Sequence, residues 1–134
     1  EPYCSALRER LLALADQRGL QIRPTGTYMC FNGPRFETAA EIRMYAQLGG
    51  DVVGMTGAPE VQLARELRMH YAAVAISINW AAGLKGPIKI EKSGMEQTRE
   101  RLLHLLVEVL RAPLVASCHC ETALMIQHPP TNAG

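Results

Sequence analysis

Apolar residues recur along this chain with two periods, and the switches between them mark its elements. In 5-SALRERLLALADQRG-19, leucines at 7, 11, 12 and 14 share one helical face, with Ser5 placed to cap the start and Gly19 the end. The spacing predicts a helix over about 5–18. After Pro24-Thr25-Gly26, the aromatic and β-forming run 27-TYMCF-31 reads as a strand, ended by Asn32-Gly33-Pro34. Helical spacing returns in 38-TAAEIRMYAQLGG-50, where Thr38 and Glu41 form a capping box and paired glycines stop the turn. The short apolar run 51-DVVGMTG-57 is a second strand, and Pro59 suits the first turn of a helix over 59–69. Next, 71-YAAVAISINW-80 is apolar at almost every position, which predicts a central strand buried on both faces. A glycine- and proline-containing loop covers 81–90. A long amphipathic helix follows, from about 91 or 95 to 111, with Leu102, Leu103, Leu106, Val107 and Leu110 as its expected apolar face and Pro113 beyond its end.

This alternation of helix and strand is the signature of an α/β fold with a largely parallel sheet. Open sheets of that kind bind ligands beyond the carboxyl ends of their strands. Those ends are residues 33–37, 54–57 and 78–82, which would bring Phe36, Glu37, Thr56 and Asn79 to one edge. Residues 1–117 form one structural unit in this reading, and 118–134 a loose tail. No internal repeat is visible.

Composition narrows the function by exclusion. Fourteen basic residues against thirteen acidic ones leave a formal charge of +1, so there is no electrostatic case for nucleic acid or an anionic membrane as partner. No run approaches the ~18 to 20 apolar residues of a membrane span, and Glu1-Pro2-Tyr3-Cys4 does not resemble a signal peptide, so a cytoplasmic setting is expected. The four cysteines are too few and too scattered for a secreted disulfide framework. In Cys118-His119-Cys120 a single residue separates the thiols, whereas zinc sites usually place two or more between them, and the tail does not clearly offer further ligands. No metal site is therefore expected. His70 and His104 read as structural or exposed.

Three segments together carry a resemblance. The run 33-GPRFETAAE-41, then 49-GGDVVGMTGAPEVQLARE-66, then a strand ending at Asn79, resembles the trimeric purine nucleoside phosphorylase and methylthioadenosine phosphorylase family. The likeness covers about residues 1–112 and corresponds to the C-terminal half of that family's three-layer domain, a mixed, largely parallel sheet flanked by helices. The family's glycine-rich phosphate loop and the basic residues after it have no counterpart here.

The resemblance implies phosphorolysis, in which phosphate attacks C1′ of a purine nucleoside and displaces the base, leaving a ribose 1-phosphate. Inorganic phosphate is the co-substrate, no metal or organic cofactor is implied, and a homotrimer is the implied assembly. By position, Asn79 would bond purine N7 and the 6-substituent and so stabilise the departing base. Phe36 would lie against the base, Met55 under the ribose, and Thr56 would offer its hydroxyl to phosphate. Adenine-specific relatives carry Asp at the positions of Asn79 and Ala81 and a small hydroxyl residue at Glu37. An amide can donate to N7 and a 6-oxo group, and a carboxylate can accept from N1–H, so Glu37 with Asn79 favours 6-oxopurines. Apolar or small residues, Ile90, Ser93 and Gly94, stand where relatives using ordinary nucleosides have a histidine for the 5′-hydroxyl. The implied substrate is 5′-methylthioinosine, ahead of inosine or guanosine. A methylthioadenosine phosphorylase and a noncatalytic half-domain are the alternatives.

Overall fold

The computed structural model describes residues 1–111, 113 and 117–122. Its elements are α1 (Ser5–Gln17), β1 (Tyr28–Cys30), α2 (Ala39–Gln47), β2 (Val52–Gly54), α3 (Ala58–Glu66) and α4 (Met95–Leu110). Four of the expected helices and strands thus lie within the ranges predicted for them, α3 begins one residue before its predicted range, and α4 takes the later of its two starting points.

The two strands pair in parallel, Tyr28 opposite Val52, Met29 opposite Val53 and Cys30 opposite Gly54. That register is pinned at its amino end. The Asp51 carboxylate accepts the Thr27 backbone N–H at 2.9 Å and an Arg23 guanidinium N–H at 3.0 Å, so the chain enters both strands from a fixed point. α2 between them is set by its capping box. Thr38 accepts from the Glu41 N–H while the Glu41 carboxylate accepts from the Thr38 N–H, satisfying two amides that the helix leaves unpaired.

The main core lies between α1 and α4. Leu11 and Ala15 of α1 meet Leu105 and Val109 of α4, all buried, with Leu105 wholly inaccessible. Full burial of such a side chain contributes about 1.5–3 kcal/mol. An Arg18–Glu108 ion pair ties the rim of this contact.

Three local expectations differ from what is observed. The cap of α1 is Cys4, whose sulfur accepts the Leu7 N–H at 3.4 Å, and Ser5 is the first helical residue. The buried face of α4 is Leu105 and Val109, flanked by Leu102 and Leu106, whereas Leu103, Val107 and Leu110 are 59%, 45% and 78% exposed. Apolar residues occupy so much of this helix's circumference that periodicity could not choose between faces. Finally, residues 71–80 are not a strand, and Ile76 within them is 38% exposed. A strand buried on both faces needs a neighbour to share its ladder and cover for its side chains, and among the described residues the sheet has only β1 and β2. The segment is held at its ends instead. The Cys4 N–H donates to Tyr71 O at 2.8 Å, Tyr71 Oη donates to Glu60 at 2.7 Å, and the Glu91 N–H donates to Ile78 O at 2.7 Å. The Glu60 hydrogen bond, with burial adding to it, pushes the Tyr71 phenol up to about 12. Residues 123–134 of the expected loose tail lie outside the described residues, while Cys118 and Cys120 at its start pack with Cys4.

Candidate functional site

Because strand side chains alternate, Tyr28 and Cys30 project from the same face of β1. Both reach the backbone that leaves β2. The Tyr28 phenol oxygen accepts the Thr56 N–H at 3.3 Å, and the Cys30 thiol donates to Thr56 O at 3.1 Å. Thr56 is thereby gripped through its main chain, and its hydroxyl takes no part in that grip. Glycine at 54 leaves room for the Tyr28 ring, since a Cβ there would come within 2.7 Å of Tyr28 Cζ and force the ring to move. Gly57 follows at φ +95° and caps α3, so Thr56 sits immediately before the positive end of a helix.

The exit of β1 runs alongside. The Phe31 N–H donates to Gly54 O at 3.0 Å, and Met55 Sδ lies 2.9 Å from where a Cβ on Gly33 would be, so Met55 lies across the start of the 33–37 segment. In that segment Phe36 is half exposed, whereas Glu37 is buried at 7% exposure with no hydrogen-bond partner among the described residues. Arg35 is committed elsewhere. Its guanidinium grips both Glu41 oxygens, at 2.9 and 2.6 Å, and donates to Phe36 O at 2.9 Å. That pairing, helped by the Thr38 hydrogen bonds, holds the Glu41 carboxyl down to about 2.

Four of the five expected residues, Phe36, Glu37, Met55 and Thr56, therefore come to adjacent strand ends. Asn79 is the fifth, and its amide donates to Trp80 O at 3.1 Å, a local bond. The loop after it reaches this edge through Gly83, whose added Cβ would come within 3.3 Å of Ala39 Cα at the start of α2. Of the residues expected at the 5′ end of the sugar, Ile90 is 44% exposed and Gly94, in a left-handed conformation, caps α4. A cleft of about 500 Å³ lies between the end of α1 and residues 19–23, at the opposite, amino end of the strands, where Arg23 meets Asp51. The sequence reading missed Tyr28, Cys30 and Arg35 as the groups that position the site, although the two-residue spacing of the first pair was a usable signal.

The profile of the phosphorylase superfamily matches residues 1–111. The chain belongs to that superfamily. As a phosphorylase-superfamily chain it is 49% identical over 129 residues to the 6-oxopurine nucleoside phosphorylase of Pyrococcus furiosus, covering 92% of this chain and 48% of that protein. It is 44% identical over 128 residues to the probable S-methyl-5′-thioinosine phosphorylase of Methanopyrus kandleri, covering 92% and 50% respectively. Among solved structures, methylthioadenosine phosphorylase from Schistosoma mansoni in complex with adenine superposes with a TM-score of 0.71 at 27% identity, over 92% of this chain and 50% of that one. The fold is thus the α/β phosphorylase fold in part, and the chain spans about half the length of the relatives it matches.

Proposed function

We propose that this chain carries the base- and ribose-facing half of a purine nucleoside phosphorylase specific for 6-oxopurine nucleosides, with 5′-methylthioinosine preferred over inosine and guanosine. One observation carries the reading: the parallel register of β1 and β2 sets Gly33–Glu37 beside Met55–Thr56, with Glu37 largely buried and its carboxylate held by no hydrogen bond among the described residues. A carboxylate not committed to the protein can accept from a ligand, and N1–H of hypoxanthine or guanine is such a donor. The names of the Pyrococcus and Methanopyrus relatives support the same substrate class.

In the reaction, phosphate attacks C1′ as the C1′–N9 bond breaks, and the bonding pair leaves with the purine. Positive charge gathers on the ribosyl group and negative charge on the base, so donors aimed at the base lower the barrier. Asn79, freed from its bond to Trp80 O, donates to N7 and the 6-oxo oxygen as that charge develops. Thr56, ahead of α3, offers its hydroxyl to phosphate, while Met55 and Phe36 pack against ribose and base. Phosphate itself is the nucleophile, and no organic cofactor enters. The products are hypoxanthine and 5-methylthioribose 1-phosphate, a salvage reaction of the cytoplasm, in a protein assembled as a homotrimer.

A second reading, a noncatalytic half-domain, is favoured by the exposure of residues 71–80. Phosphate-dependent release of free base from methylthioinosine, inosine and methylthioadenosine separates the readings. Hypoxanthine release from methylthioinosine supports the proposal, adenine release from methylthioadenosine instead shifts the assignment to a methylthioadenosine phosphorylase, and no release from any substrate favours the half-domain.

A further inference from the structure

Three of the four cysteines and one histidine, none of them at the strand ends, converge from distant parts of the chain. Cys4 precedes α1, His70 follows α3, and Cys118 and Cys120 follow α4; their ligand atoms all lie within 4.8 Å of one another. His70 Nδ1 is 3.4 Å from Cys4 Sγ and 3.3 Å from Cys118 Sγ. A tetrahedral zinc with Zn–S of ~2.3 Å and Zn–N of ~2.05 Å sets its sulfurs about 3.8 Å apart and each nitrogen about 3.6 Å from a sulfur. The histidine–sulfur distances are within about 0.3 Å of those values, and the widest separation in the cluster, up to 4.8 Å, closes by about 1 Å when an ion binds.

We propose that Cys4, His70, Cys118 and Cys120 form a structural zinc site that staples the segment after α4 to the start of α1. The tail alone lacked ligands for such a site, and the fold supplies the missing two. Two donors face its sulfurs. Cys4 Sγ accepts the Leu7 N–H at the amino end of α1, and an Arg65 guanidinium N–H points at Cys120 Sγ from 3.2 Å. Three thiolates and Zn²⁺ sum to one negative charge, which Arg65 balances. Cys4 and Cys120 are buried at 2% and 1% exposure, closing one side, while His70 and Cys118 leave the other open for entry. With four protein ligands there is no vacant position for a reacting water, so the role is structural. Binding also links chain segments separated by 66 and 48 residues, which restricts the unfolded chain.

The test uses the purified protein under reductant, with Zn²⁺ and Co²⁺ as probes. One metal per chain is expected. Co²⁺ should give the near-ultraviolet thiolate charge-transfer band and the intense visible bands of a tetrahedral centre. Zn²⁺ should protect three of the four thiols from a thiol reagent and leave Cys30 reactive. The more accessible ligands allow variants that spare the buried thiols: His70→Ala and Cys118→Ser should each lose the tetrahedral cobalt spectrum. Arg65→Met should keep that spectrum while weakening affinity about 10- to 100-fold. The proposal is overturned by a protein that retains no metal and shows equal reactivity of all four thiols with and without Zn²⁺. It is equally overturned by mass measurement showing a disulfide among Cys4, Cys118 and Cys120 as the state that persists under reductant.

Discussion

Gly54→Ala tests whether β1 positions the backbone around Thr56. A Cβ at 54 would sit 2.7 Å from Tyr28 Cζ and 3.1 Å from Cε2, where ordinary contact begins near 3.4 Å, and it would press still harder on the phenol oxygen. The tyrosine must swing away, and its hydrogen bond from Thr56 goes with it. Overpacking of this kind costs about 1–3 kcal/mol. The lost bond adds about 0.5–1 kcal/mol, at the low end because Thr56 is exposed and water can replace the acceptor. Alanine offsets about 0.4–1 kcal/mol by restricting the unfolded chain. The net expectation is a destabilisation of about 1–3 kcal/mol, read as a lower denaturation midpoint with unchanged slope. Removing the ring should relieve the clash, so Tyr28→Ala with Gly54→Ala should be more stable than the sum of the single changes by at least about 1 kcal/mol. Strict additivity, or a Gly54→Ala variant within about 0.5 kcal/mol of the parent, would refute the steric account.

Other consequences follow from the same contacts. Leu105→Ala, at the wholly buried centre of the α1–α4 contact, should cost about 2–5 kcal/mol in equilibrium unfolding, while Leu110→Ala on the exposed face should cost under about 0.5 kcal/mol in the isolated chain. Glu41 titrates near 2 in the folded protein against an ordinary 4.5, so its contribution to stability is complete above about 4.5 and is lost as pH falls toward 2. Glu41→Gln should flatten the stability curve in that window, with little change in its shape above it. In the complete enzyme, Glu37→Gln should lower kcat/KM for 6-oxopurine nucleosides by about 10- to 150-fold, the value of a hydrogen bond to a charged group, without a matching loss of stability.

The elements legible in the sequence were those whose signals are local. The Thr38–Glu41 box, Pro59 in the first turn of α3 and the paired glycines after α2 each report their own backbone, and each holds in the structure. What failed depended on partners the local pattern does not name. The run 71–80 has the composition of a buried strand, but composition supplies no neighbouring strand. The buried face of α4 was decided by where α1 lies, and Cys4 won the cap of α1 because its backbone is tied to Tyr71. The site was read in the same uneven way. Strand-end placement found Phe36, Glu37, Met55 and Thr56, while the groups that hold them, Tyr28, Cys30 and Arg35, act through contacts across 26 to 28 residues or through a cap and left weaker traces. The cluster of Cys4 and His70 with the tail cysteines was invisible for the same reason, since its members stand up to 116 positions apart, from 4 to 120.

Base selection at Asn79 is the most direct test of the functional account. In the complete enzyme, the ratio of adenine release from methylthioadenosine to hypoxanthine release from methylthioinosine should be measured for the parent and for Asn79→Asp. An aspartic acid can protonate N7 and accept from a 6-amino group, so the account predicts a ratio raised at least about tenfold, equivalent to about 1.4 kcal/mol between the two transition states. A ratio unchanged by the substitution, with both activities intact, would contradict the assignment of Asn79 to the purine.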